Sequence, residues 1–252
     1  MLILLLVKKS IWAVVVIVIL ILSFRFYKTT ISLQPKDNWV NVLDICQRNT
    51  PYQLPPEFSR SVSLILQRYQ DGNDENLSTY RSIENCLDIQ YGDLDEEEGL
   101  FYFDPKYSST DHLTIRVDSD YKYQDDLTTA FLLSHELTHA KQFVKEIVSG
   151  KKMDCVDMEA EAFFQQIKFG SYLNDEESKS VVARAEKVSN KNSQIINYSN
   201  LLDIGWDAIG GCNLHGVKVI SNEQKNCYKN LLSEKLREMV RSNTYYQKQC
   251  YF

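Results

Sequence analysis

His135-Glu136-Leu137-Thr138-His139 lies in a run that opens with Leu127-Thr128-Thr129-Ala130-Phe131-Leu132-Leu133-Ser134, and this stretch reads as one helix. On a helix, positions i and i+4 lie about 40° apart around the axis, so the two imidazoles project side by side. That spacing lets both bind one Zn²⁺, while Glu136 can reach a metal-bound water. The chain holds four histidines, and two of them stand here at the required spacing. The competing reading is a helix with two surface histidines, the false-positive risk of any short motif.

Asp125 or Asp126 is the expected cap of this helix, which should run to about Val148 and stop at Gly150. Its apolar stripe is Ala130, Leu133, Leu137, Ala140, Val144 and Val148. His135 and His139 fall on the other side, in line with Thr128, Gln142 and Glu146, and should face a cleft or the solvent. A catalytic metal with an open position requires such a face.

Two histidines do not complete a protein zinc site; a third protein ligand is needed, with water in the fourth position. Gln142 and Lys145 stand where H-E-x-x-H-x-x-G-x-x-H would require glycine and histidine, which excludes the metzincin pattern. A second helix, Val156 to Phe169, offers Glu159 and Glu161. Its apolar face is Val156, Ala160, Phe163, Phe164 and Ile167, and on a helical wheel Glu159 lies nearer that face, beside Phe163. Glu161 groups instead with Asp157, Gln165 and Lys168. Glu159 is therefore the expected third ligand and Glu161 the alternative, although most helix carboxylates are simply solvated.

Ser134-His135-Glu136-Leu137-Thr138-His139-Ala140, followed by Glu159-Ala160-Glu161-Ala162, resembles the gluzincin metallopeptidases, in particular their membrane-associated and minimal members. The resemblance covers roughly residues 100 to 170. It implies zinc held by His135, His139 and Glu159, with Glu136 as general base in the hydrolysis of a peptide or protein substrate. It also implies an α+β fold: a mainly helical, zincin-like domain with a small antiparallel sheet. Many of these relatives carry Asp or Asn where Phe163 stands.

The N-terminus is strongly apolar from Ile11 to Phe24, with Lys8-Lys9 before it and Arg25 and Lys28 after it. Those fourteen residues fall short of the ~20 that span a bilayer, but extension to Tyr27 with snorkelling of Lys9 and Arg25 makes a span. A cleaved signal peptide competes, yet bulky Ser23-Phe24-Arg25-Phe26-Tyr27 offers no small-residue cleavage site. The expected organisation is an anchor over 1–27, a tether over 28–38 and one catalytic domain over 39–252. All six cysteines (Cys46, Cys86, Cys155, Cys212, Cys227 and Cys250) lie beyond the anchor, and none forms a C-x-x-C pair. An even count suits disulfides in a single-pass protein with an extracytoplasmic domain, or in a secreted one if the segment is cleaved. A net charge of −6 with no long basic tract argues against nucleic acid as the main partner.

Elsewhere, Glu57 to Gln70 has helical periodicity, and Asp71-Gly72-Asn73-Asp74 marks a turn. The acidic run Asp93 to Glu98 reads as a solvated loop, with a calcium site as the less favoured alternative. Leu100-Phe101-Tyr102-Phe103 and His112-Leu113-Thr114-Ile115-Arg116-Val117 read as strands. By resemblance, the second of these would bind substrate as an added strand. His112 reads as a surface strand histidine. Glu176 to Ser189 and Lys225 to Arg241 read as amphipathic helices, with a Gly-rich break over 205–216. Asn76-Leu77-Ser78 and Asn197-Tyr198-Ser199 are glycosylation sequons, relevant only to an exported eukaryotic domain. An oxyanion partner would be His215 or one of the fifteen tyrosines, and the sequence does not choose. Two other readings stay open: a catalytically inactive relative that binds through this fold, and a membrane-anchored interaction module with an accidental motif.

Overall fold

The computed structural model describes Cys46 and residues 53–95, 97–102, 112–189, 198–214 and 221–251. The expected anchor and tether, Phe103, Asn197 and His215 lie outside the described residues. Among the described residues, no helix is long and apolar enough to cross a membrane.

The chain is mainly helical, with one small sheet. Helix α1 (Pro56–Asp71) starts on a proline whose fixed φ suits the first turn, and it buries Phe58, Val62, Ile65 and Tyr69. It ends where Gly72 and the left-handed Asn73 (φ 50°) turn the chain into the short α2 (Leu77–Ile83). Three strands follow: β1 (Leu87–Gly92), β2 (Gly99–Phe101) and β3 (Leu113–Asp118). Their order is β1-β3-β2, with β1 parallel and β2 antiparallel to β3. The sheet is therefore mixed, not antiparallel as expected. β1 carries period-two alternation in Leu87, Ile89 and Tyr91, the sequence signal of this strand.

The sheet order also corrects the expected substrate strand. β3 is paired on both sides, so its backbone groups are already satisfied and it has no free edge. β2 is the edge strand beside the histidine helix.

That helix, α3 (Asp126–Ser149), is the centre of the molecule. Asp125 caps it by accepting from the Thr128 N–H at 2.7 Å, and Gly150 closes it in the left-handed region (φ 65°). It packs against α1, β2, α4 (Cys155–Gly170) and α5 (Asp175–Ser189), so its surface from Thr128 to Ala140 is covered all round. The expected stripe is buried except for Val148, which lies on the exposed last turn. Thr128 and Gln142, expected opposite the core, are buried as well.

Helices α6 (Tyr198–Gly211), α7 (Asn222–Ser242) and α8 (Thr244–Tyr251) complete the described fold. The expected break at 205 does not occur, because α6 runs through Gly205. A Cβ at that glycine would lie 3.3 Å from Ile167 Cγ2 of α4, so its smallness serves close helix packing.

Cys46–Cys86, Cys155–Cys250 and Cys212–Cys227 are disulfides. Cys155–Cys250 closes a separation of 95 residues and joins the start of α4 to α8. Replacing both of these cysteines with serine is expected to cost roughly 2–4 kcal/mol, read as a lower urea midpoint at unchanged slope. An unchanged midpoint would show that this bond adds nothing to the fold.

Candidate metal centre

Helices α3 and α4 face each other across a cleft. The Asp154 side chain starts α4 by accepting from the Val156 N–H at 3.0 Å, and this sets the register that turns Glu159 inward. His135, His139 and Glu159 are all buried. The two histidine Nε2 atoms lie 3.1 Å apart, with Glu159 Oε2 3.5 Å from His135 Nε2 and Glu159 Oε1 3.6 Å from His139 Nε2. Ligand atoms at 2.0–2.1 Å from a tetrahedral ion lie about 3.3–3.4 Å from one another, so this triangle has the size a metal ion needs. Among the described residues it is the one group of three or more His, Cys, Asp or Glu side chains close enough to share an ion. Two imidazoles and a carboxylate form a donor set suited to a borderline divalent metal.

The electrostatics are those of a buried charge pair. Burial opposes ionisation of Glu159, but the His139 charge and hydrogen bonds from both histidines outweigh it and bring its pKa down to about 2. Burial likewise opposes protonation of His139, yet Glu159 outweighs it and holds that imidazole up at about 9.

Glu161 is placed differently. Its carboxylate accepts from Lys141 Nζ at 2.7 Å and from Gln142 Nε2 at 3.2 Å, both on α3, and it does not line the cleft. His112 sits one residue before β3 and does not join the metal group.

Glu136 is buried beside the triangle, and burial pushes its pKa up. It accepts from the Phe101 N–H of β2. A Cβ placed on Gly99 would come within 2.7 Å of Glu136 Oε1, so glycine is what lets the edge strand lie against this carboxylate.

The cleft, about 150 Å³, is lined by Gly99 to Phe101, the His135/Glu136/His139/Glu159 group, Phe163, Tyr198, Tyr245 and Tyr246. Two glutamates from the acidic run also belong to it, which corrects the expected solvated loop. Glu98 is buried and accepts from the hydroxyls of Tyr121 at 2.5 Å and Tyr198 at 2.8 Å. Glu97 accepts from Tyr245 at 2.8 Å, which ties α8 across the mouth. Asp93 and Asp95 are the exposed part of the run. Among the described residues, none of the run joins a group of side chains close enough to share an ion.

No protein-family model, curated protein or solved structure matches this chain. The functional reading accordingly stands on the geometry of the cleft and the chemistry of its side chains.

Proposed function

We propose that the chain is a zinc-dependent peptidase of gluzincin type. The observation that carries this reading is the triangle of His135, His139 and Glu159 with Glu136 buried beside it and an edge strand alongside. A zinc ion held there would supply Lewis-acid chemistry, activating water near neutral pH and polarising a carbonyl.

The chain's own residues do the rest. His135, His139 and Glu159 would hold the ion. Glu136 takes the proton from the attacking water and passes it to the leaving amine as the amide bond breaks. Its burial supports both roles, because a carboxyl with a raised pKa can hold the proton between the two steps. β2, at the edge of the sheet beside the cleft, can hold a peptide in extended form. The three disulfides support an oxidising, extracytoplasmic location, with residues 1–27 as the membrane attachment.

Metal analysis of the purified full chain, run beside peptide hydrolysis, tests the reading. About one zinc per chain and hydrolysis lost on chelation and regained on adding zinc are expected. A chain that binds no zinc from a zinc-containing buffer would overturn it. Zinc binding without hydrolysis of any peptide in a broad library would leave a metal-binding module instead.

Gly99→Ala is a sharper check on the position of Glu136. The added methyl must move the carboxylate or the edge strand, and a displacement of about 1 Å at a reacting group costs about 100-fold. Turnover is expected to fall by that order while zinc content stays at one per chain. Unchanged turnover would show that Glu136 does not act from the place it occupies.

A further inference from the structure

We infer that Gln142 fixes the tautomer and orientation of His139, and that Glu161 holds Gln142 in place to do so; this rests on the metal-site reading above. Gln142 lies one turn after His139 on α3 and is fully buried. Its amide nitrogen donates to the Met158 carbonyl at 2.9 Å and to Glu161 Oε2 at 3.2 Å. A main-chain carbonyl can only accept, and the Glu161 carboxylate, paired with Lys141 at 2.7 Å, accepts as well. The amide therefore has one orientation, with the nitrogen toward α4 and Oε1 toward His139.

His139 Nδ1 lies 2.9 Å from that Oε1. An amide oxygen has no hydrogen to give, so the hydrogen of this contact sits on Nδ1. In the neutral imidazole the lone pair is then on Nε2, the atom turned toward Glu159 and His135. A ring held by its distal N–H in this way presents the metal-binding nitrogen in one direction.

The chain Lys141–Glu161–Gln142–His139 also grips α4 at positions 158 and 161, on both sides of Glu159 in the sequence. One buried amide thus couples the orientation of an imidazole ligand on α3 to the placement of the carboxylate ligand on α4.

His135 is held by other means. Its Nδ1 is buried with no hydrogen-bond partner, and its ring packs on Phe163 with centroids 4.5 Å apart. The polar chain therefore serves His139 alone, and this asymmetry makes the assignment testable.

The test uses zinc as the probe. Zinc affinity of the full chain is measured by competition with a chromogenic chelator. Histidine ring ¹⁵N–¹H correlations are recorded on the zinc-loaded protein. Gln142→Leu, similar in volume, is expected to weaken zinc binding by about 10- to 100-fold. It should also remove the hydrogen-bonded Nδ1–H signal of His139 and leave the His135 ring signals in place. Glu161→Leu, at a partly exposed carboxylate, should weaken zinc binding by a smaller factor and keep the fold if Gln142→Leu does not. Wild-type affinity in both variants, with the His139 signal unchanged, would overturn the inference and leave the metal site standing. Absence of zinc binding by the unmodified chain would overturn both.

Discussion

Glu136→Gln is expected to lower peptide hydrolysis by roughly 1000-fold, within the range for loss of a positioned general base. Zinc should stay at one per chain, because Glu136 is not among the three side chains placed to hold an ion. Glutamine keeps the volume of the buried side chain and an oxygen able to accept from the Phe101 N–H. The fold and the β2 contact should therefore survive, and the loss should fall on kcat more than on KM. The same residue sets an expected pH profile. Burial, partly offset by the two histidines, raises the pKa of Glu136. The acid limb of kcat/KM should accordingly lie above the ordinary glutamate value of about 4.3, with activity rising as pH increases through it. Hydrolysis retained in Glu136→Gln with bound zinc would remove this residue from the reaction.

The helix that carries Glu136 was the most legible part of the molecule. Asp125, the apolar run and Gly150 mark its ends, and Asp154 marks the start of its neighbour, because caps and glycine C-termini are local signals. The wheel on α4 separated Glu159 from Glu161 for a similar reason, since burial on an amphipathic helix follows period. What could not be read depends on contacts distant in sequence. β1 pairs with β3 in parallel across 26 residues, and nothing local to either strand states that partner. Glu97 and Glu98 look solvated beside Asp93 and Asp95, and only tyrosines 23 to 148 positions away draw them into the cleft. Gly205 looks like a helix break until the neighbour that crosses it is known.

Glu159→Gln is expected to abolish zinc binding at micromolar metal, because it replaces the one anionic side chain of the triangle with a neutral amide. It should also change the metal-free protein in a way that depends on pH. His139 has a folded-state pKa of about 9, above its ordinary value, so its pairing with Glu159 stabilises the fold fully below about 6.5. That contribution is lost as pH rises through 9. Glu159, held down to about 2, contributes stability that is fully present above about 4.3 and is lost as pH falls toward 2. The metal-free chain should therefore be most stable, so far as this pair decides, between about pH 4.3 and 6.5. Removing the carboxylate there should cost roughly 3 kcal/mol, the lower end for breaking a buried ion pair. At pH 8 the cost should be smaller, because His139 can shed its proton. Urea unfolding of wild-type and Glu159→Gln chains in chelator at pH 5.5 and pH 8 checks this. A difference independent of pH would show that the two side chains are not paired. The same proton ties stability to metal uptake. At pH 7 His139 must release about one proton when an ion binds, so zinc affinity should rise with pH until about 9. Calorimetry of zinc binding in buffers of different ionisation enthalpy measures that release. A value near zero would place His139 neutral before the metal arrives.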